Sequence, residues 1–449
     1  MPYDPLTASD PGTGLDYMPS YWTSTADVRA SDDGPLEGTT DVDVAIIGGG
    51  YTGLSCAYHL ARHYGIRATV LEANRPGWGC SSRNGGFARA AIGRHGFGKM
   101  IERWGRGTAR RVFGQALSAL DNVRSMIREG GIGCDALEAG HLKIAHRPSR
   151  AAALAREAEL LQREFEYPAE FLTGAQLRGE HIGGSQSHGA LRFPDAVAVH
   201  PLKLVLGVLD MARASGAKVH SGSPVLKWQK NGYAHVQRTP SATVRARSVV
   251  LATNGYTPEH LHDCVRATTL PVLSHIIVTR AMTAEEKVAS GFRTEHVLTD
   301  TRNLLYYWRR LPDDRILFGG RGRITESAAG QVAHRDFLLA ELKAKLPALG
   351  AMSVDYDWWG WVCLTADFLP HVYHAADDTS VHYALGYQGS GVSYALFAGK
   401  ILASRVANDA SPDAIPATTT PLPRFPFAAL RRVGQRAIYQ WYRYSDNHG

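Results

Sequence analysis

Cysteine is scarce in this chain. The 449 residues contain five, Cys56, Cys80, Cys134, Cys264 and Cys363, scattered and without a CxxC pair. That pattern excludes a disulfide framework and a zinc ribbon. No HExxH and no GxSxG occurs, so metalloprotease and α/β-hydrolase chemistry find no foothold, and no metal site is expected. Long apolar runs are missing as well, and nothing approaches the roughly 18 uninterrupted residues of a membrane span. The first residues, MPYDPLTASDPGTGLDYMPSYW, carry neither a basic nor an apolar leader region, so a cytoplasmic address is expected. The net charge is +7, but no Lys/Arg block concentrates it, so no nucleic-acid partner is expected.

Glycine, by contrast, is abundant, with 46 residues. Its most telling use lies in DVDVAIIGGGYTGLSCAYHLARHYGIRATVLE, Asp41 to Glu72. Val42, Val44, Ala45, Ile46 and Ile47 form the β-branched run of a strand buried on both faces. Gly48 permits the tight turn, Gly50 lets a pyrophosphate approach the backbone, and Gly53 lets helix pack on strand. A helix over about 51–63 aims its N–H groups and dipole, from Tyr51 and Thr52 onward, at phosphate. A second strand, Ala68 to Leu71, ends at Glu72, placed to accept from ribose hydroxyls and to repel a 2′-phosphate. The unit therefore predicts FAD or NAD and argues against NADP.

At this length two domains are expected. Residues 1–39 read as a Pro-, Gly- and Asp-rich arm. GWGCSSRNGGFARA, from Gly77 to Ala90, reads as a loop. Helices are expected from about Gly98 to Glu129, from Arg150 to Phe165 and from Pro201 to Ala214. Strands are expected at Gly140 to Ala145 and over Lys218 to Ala252. SVVLATNGYT, ending a second buried strand, would deliver Ala252, Thr253, Asn254 and Gly255 to the cofactor crevice; one more core strand is the equal alternative. A third strand, glycine turn and helix, YALGYQGSGVSYALFAGK, would turn N–H groups of Gly389, Ser390, Gly391 and Val392 toward the negative charge that develops on a reduced flavin.

These segments, in this order, are similar to the FAD-dependent amine and amino-acid oxidoreductases of the D-amino-acid-oxidase and glycine-oxidase superfamily. Within it the likeness is strongest to the γ-glutamylputrescine oxidoreductase type, from about Ser20 to Val406. WGCSSRNGGFA looks like that family's WGASGRNGGQ; NLLYYWRR, RILFGGRGR and WWGWVCLTADFLPHV add to it. The resemblance implies an α/β (α+β overall) fold. A Rossmann-type FAD-binding domain would be assembled from residues 40–100, 190–260 and 363–410. A substrate domain with an antiparallel sheet would come from 101–189 and 261–362, and 411–449 would form a basic, aromatic tail. It implies FAD held by Gly48, Gly50, Gly53, Glu72 and Ala73, by Trp78, Ser81 and Gly86, by Ser82, Arg83, Asn84 and Gly85 beside the ribityl chain and ring, by Val225 at the adenine, and by Gly389 to Val392 at the pyrimidine edge. Cys363 lies near where relatives with covalent flavin place a cysteine, but an inert buried thiol is the first reading, so non-covalent FAD is expected.

The sequence also departs from the family. Phe87 replaces the usual Gln, Gly389-Ser390-Gly391 replaces Gly-His-Gly, and Ser393 stands where sarcosine-oxidase-like relatives carry a carboxylate-gripping lysine. Phe87, Tyr307, Trp359 and Tyr387 would instead form an aromatic substrate pocket suited to an alkylamine. No general base is assigned; Tyr307, Trp359 and His275 are the catalytic candidates, and Arg321 and Arg323 are further possible contacts. The expected reaction is oxidation of a C–N bond of an amine, as in polyamine catabolism, with O2 or another acceptor taking the electrons. Three alternatives stay open: an amino- or imino-acid oxidase or dehydrogenase (D-amino acid, pipecolate or sarcosine), a quinone-linked dehydrogenase touching a membrane through the tail, and a silent FAD-binding scaffold.

Overall fold

The apolar run at residues 42–47 becomes the centre of a parallel sheet. This computed structural model describes residues 3–8, 12–28, 31–409 and 414–448. Strand Gly38–Ile47 pairs in parallel with Ala68–Leu71 on one side and Ala242–Leu251 on the other. Lys218–His220 extends the sheet beyond Ala68–Leu71, and Val381–Leu385 extends it beyond the second half of Ala242–Leu251, all parallel. Ala45, Ile46, Val70, Val249 and Val250 are fully buried, as a strand covered on both faces requires. The hairpin Lys227–Asn231/Ala234–Arg238 and the strand His371–His374 add antiparallel edges.

A second sheet runs Val354–Leu364, Leu270–Thr279, Ile316–Arg321, Tyr307–Arg310, Val297–Asp300, His141–Ile144, Gly189–Phe193, Glu170–Thr173. Neighbours are antiparallel except Val297–Asp300 with His141–Ile144. Helix Ala328–Lys345 covers its back, where Leu338 and Leu342 meet Ile277, Tyr306, Trp308 and Phe318. Strand Gly189–Phe193 sits in this second sheet although it falls inside the segment expected for the first, 190–260. The expected loop 77–90 contains a short helix, Cys80–Arg83, and a strand, Phe87–Arg89, in a small third sheet.

The long helix Phe97–Glu129 is bent at Gly105, whose φ of 75° no helix holds. Expected with the second domain, it shares its core instead with helices Tyr51–Tyr64 and Gly391–Val406. The reason is apolar periodicity: Val112, Ala116, Ala119, Leu120 and Val123 lie on one face. Both chain ends are tied down. In the arm, Tyr17 OH donates to Pro76 O (2.6 Å) and the buried Trp22 indole to Asn84 O (2.9 Å), clamping the loop after the second strand. In the tail, helix Arg431–His448 is anchored through Arg431 to Glu259, Arg432 to Asp4, and Asp446 to Asn303 N–H (2.8 Å).

At Gly53 a Cβ would stand 2.0 Å from Gly48 O, a backbone atom that cannot yield. Gly53→Ala is therefore expected to cost roughly 1–3 kcal/mol and most of the bound flavin. Urea unfolding and the flavin-to-protein absorbance ratio measure it, and an unchanged midpoint with full flavin would refute the close-packing account.

Candidate active site

Three strand ends of the first sheet stop at one place. Gly48 N–H donates to Leu71 O (2.9 Å), Ala252 N–H to Ile47 O (2.9 Å), and Asn254 Oδ1 accepts from Gly386 N–H (3.0 Å). Beneath them opens a cavity of about 730 Å³ that continues to the front of the second sheet. Gly48, Gly50, Tyr51, Thr52, Glu72, Ala73, Val225, Ala252, Thr253 and Asn254 line one end. There Leu54 N–H makes the first i→i−4 bond, to Gly50 O (3.0 Å), so the preceding helical N–H groups face the cavity. Tyr51 N–H alone has a local acceptor, Ser81 Oγ at 3.0 Å, the atom a Cβ on Gly50 would meet at 2.9 Å. Glu72 accepts from Gly49 N–H (2.6 Å) and Asn74 N–H (3.0 Å), while burial raises its pKa.

The middle of the cavity is the loop carrying Trp78, Ser81, Arg83, Asn84 and Gly85. Arg83 lies over the Trp78 ring at 4.2 Å and donates Nε–H to Trp78 O (3.0 Å); Trp358 donates to Arg83 O (2.9 Å). Asn84 closes the turn by donating to Cys80 O and Ser81 O and accepting from Gly86 N–H (2.8 Å). Gly389, Ser390, Gly391 and Val392 line the cavity where helix Gly391–Val406 begins. Four of the expected cofactor residues do not line it and act behind it. Gly53 and Gly255 permit close backbone packing, Gly86 turns at φ 74°, and Ser82 donates back to Trp78 O (3.3 Å).

The substrate candidates separate by strand alternation. Phe87, Tyr307 and Tyr387 line the cavity, with Phe87 edge-on to Tyr307 at 5.8 Å and Tyr307 OH bonded to Ser274 Oγ at 2.8 Å. Tyr387 OH turns to Thr52 Oγ1 (2.6 Å) and is buried. Trp359 and His275 are opposite each other in the register, and both point away from the cavity, toward helix Ala328–Lys345. There His275 stacks on His334 at 5.3 Å and bonds Asp357 at 3.0 Å, and Trp359 lies under Arg323 at 5.3 Å. Their neighbours Ser274 and Gly360 face the cavity instead. His275 and Trp359 are therefore structural, and Arg323 goes with them, while Arg321 does line the cavity. Sequence reasoning missed Ser274, Arg89 and Arg94, which also line it. The glycine-rich AIGRHGFG around Arg94 was the available signal.

Cys363 borders the cavity but is wholly buried, and burial pushes its thiol far up, against the thiolate that a covalent link needs. Among the described residues no cluster of acidic, His or Cys side chains suits a metal, and no helix is long and apolar enough to cross a membrane.

A family model described as FAD dependent oxidoreductase matches residues 43–405. The chain is 30% identical over 93% of its length to gamma-glutamylputrescine oxidoreductase of Escherichia coli (strain K12), covering 95% of that protein. It is 23% identical to glycine oxidase of Bacillus subtilis (strain 168), over 82% of this chain and 93% of that one. The solved glycine oxidase from Geobacillus kaustophilus superimposes with a TM-score of 0.71 at 22% identity, over 86% of this chain and 99% of that one, which speaks for the fold.

The residues present fit FAD: a glycine cradle closed to any Cβ, a helix N-terminus with free N–H groups, and a buried carboxylate at the second strand's end. Glu72→Gln keeps the shape and removes the charge. It is expected to weaken FAD binding about 10- to 100-fold, the worth of a charge-assisted hydrogen bond. Quenching of FAD fluorescence on titration into apoprotein reads it, and wild-type affinity in the variant would remove Glu72 from the ribose site.

Proposed function

The chain belongs to the FAD-dependent oxidoreductase family, and from that premise we propose that it oxidises a C–N bond of an alkylamine of the γ-glutamylputrescine kind. The observation that carries the proposal is the continuity of the cavity. One end is built for a dinucleotide, and the other is walled by Phe87, Tyr307 and Ser274, so a substrate lying there faces the cofactor. Similarity to the E. coli gamma-glutamylputrescine oxidoreductase supports the substrate class.

FAD, which Gly48, Gly50, Glu72 and the turn Gly389 to Val392 would hold, would supply the hydride acceptor for the carbon bearing the neutral amine, and the imine so left would be hydrolysed by water to an aldehyde and ammonia. The protein's part is orientation and desolvation. Phe87 and Tyr307 form an apolar wall against which the alkyl chain packs. Burial pushes the Tyr307 phenol up to about 12, so it stays protonated at neutral pH and serves as a hydrogen-bonding group paired with Ser274, not as a base. None of Phe87, Tyr307 and Ser274 is a base at neutral pH, so the substrate ammonium gives its proton to solvent before the hydride leaves. Desolvation between aromatic faces favours the neutral form and lowers the amine's apparent pKa.

Under anaerobic conditions γ-glutamylputrescine is expected to bleach the oxidised-flavin band. An unbleached band with a full complement of FAD would exclude this amine. The rate of bleaching is expected to rise about tenfold per pH unit below the apparent amine pKa and then level off. A flat profile in stopped-flow reduction would refute neutral-amine oxidation. We further propose that the flavin is not covalently attached. Acid precipitation is expected to leave a colourless pellet under a yellow supernatant, and a yellow pellet would assign a covalent link.

A further inference from the structure

We infer that the C-terminal helix Arg431–His448 docks the protein on a membrane surface of anionic lipid, lying among the headgroups with its apolar face toward the acyl chains, whichever amine is oxidised. The helix is amphipathic, but it sits on the protein the opposite way round from a helix that feeds a core. Its polar residues face inward. Arg431 pairs with Glu259, Arg432 with Asp4 and with Gln435 Oε1 (2.8 Å), and the buried Asp446 accepts from Asn303 N–H (2.8 Å). Its apolar residues face out. Val433, Ala437, Trp441 and Tyr444 recur at spacings of four, four and three, which places them in one stripe, and all four are exposed.

Leu430 and Phe427, in the turn that enters the helix, add to this surface, and Leu430 N–H donates to Phe427 O (2.8 Å). Phe427 is 82% exposed, Trp441 and Tyr444 are each 60% exposed, Val433 58% and Leu430 57%, which together leave on the order of 500 Å² of apolar surface uncovered. The Trp441 and Tyr444 rings lie 6.1 Å apart, so the two largest apolar groups of the stripe are adjacent. An apolar patch of this size with a polar rim marks an interaction site.

The rim decides what covers the face. Arg436 and Arg443, seven residues apart, follow one flank of the stripe; both are exposed, and neither has an acidic partner among the described residues. Arg443 makes one bond, to Gly322 O (3.3 Å). The only acid of the helix, Asp446, is buried on its other side, and the acids that meet the tail are already neutralised: Glu259 by Arg431, Asp4 by Arg432, and Asp263 by Arg424 (2.9 Å) and Arg266 (2.9 Å). Arginine beside an exposed Trp and Tyr suits an interface of acyl chain below and anionic headgroup above. A second copy of the chain suits it less. A two-fold contact through this face would set Arg436 and Arg443 near their own copies, and the patch falls short of the roughly 800 Å² per partner of a stable interface. Among the described residues no helix is long and apolar enough to cross a membrane, so this one lies on the surface.

The test sediments the full-length, FAD-loaded protein with vesicles of phosphatidylcholine alone and of phosphatidylcholine mixed with phosphatidylglycerol. Wild type is expected to bind the anionic vesicles at least about tenfold more tightly and to be released by about 0.5 M salt. The double variants Trp441→Ser/Tyr444→Ser and Arg436→Glu/Arg443→Glu are each expected to weaken that binding roughly 10- to 100-fold. Because these side chains face solvent, FAD content and melting temperature should stay at wild-type values, which shows that the variants are folded. With brominated phosphatidylglycerol, wild-type tryptophan fluorescence is expected to fall, whereas Trp441→Phe should still sediment without that fall. Absence of wild-type binding to anionic vesicles, equal binding to both lipids, undiminished binding by both double variants, or quenching that persists in Trp441→Phe would each overturn the inference. A dimer in analytical ultracentrifugation that Trp441→Ser/Tyr444→Ser dissolves, with no lipid binding by wild type, would assign the face to a second copy of the chain instead.

Discussion

Gly48 N–H bonded to Leu71 O, and Ala252 N–H bonded to Ile47 O, are the last rungs of two parallel ladders, and both ladders stop at the same level. In a parallel sheet every strand leaves in one direction, so register alone decides whether successive loops emerge together. Here the register pairs Ile47 with Leu71 and with Leu251, and Leu251 with Tyr383. Loops separated by more than a hundred residues are thereby brought to one edge. The Asn254 carboxamide, accepting from Gly386 N–H, then ties the second loop to the third. Cavity, cofactor cradle and substrate wall all depend on that shared stopping line.

What was legible in the sequence follows from how strict the local rule is. The glycine loop has a fixed spacing with a steric cause at each position, and the contacts at Gly48, Gly50 and Gly53 show that cause in atoms. Strand alternation was legible too, and Tyr306 and Trp308 turn into the back core while Tyr307 turns forward. Its phase was not legible for WWGWV. Alternation says that Trp359 and Gly360 face opposite ways but not which way the ligand lies. Aromatic size favoured Trp359, whereas space for a ligand is made by the residue without a side chain, Gly360. His275 shared the error because it is the cross-strand partner of Trp359.

Charged residues were the least legible. An arginine in a glycine-rich loop, such as Arg94, carries no periodic signature, and its place on the cavity wall appears only in the structure. The tail shows the reverse case. Its arginines and aromatics read as a surface for lipid or solvent, yet Arg431, Arg432 and Asp446 face inward, because Glu259, Asp4 and Asn303 lie on distant parts of the chain. Trp441 and Tyr444 remain outside.

The two chain ends together hold the walls of the cavity. The arm grips the Trp78–Asn84 loop through Trp22 and Tyr17, and Trp78 returns a bond to Asp16 O (2.9 Å). From the other end, Asp446 accepts from the backbone N–H groups of both Asn303 and Leu304, and it is the carbonyl of Asn303 that Arg94 grips. Arm and tail meet where Arg432 pairs with Asp4. A loop at a cavity wall has little burial of its own to fix it. Segments outside the two large sheets supply that fixation, so the placement of Arg94 depends on a helix that does not itself line the cavity.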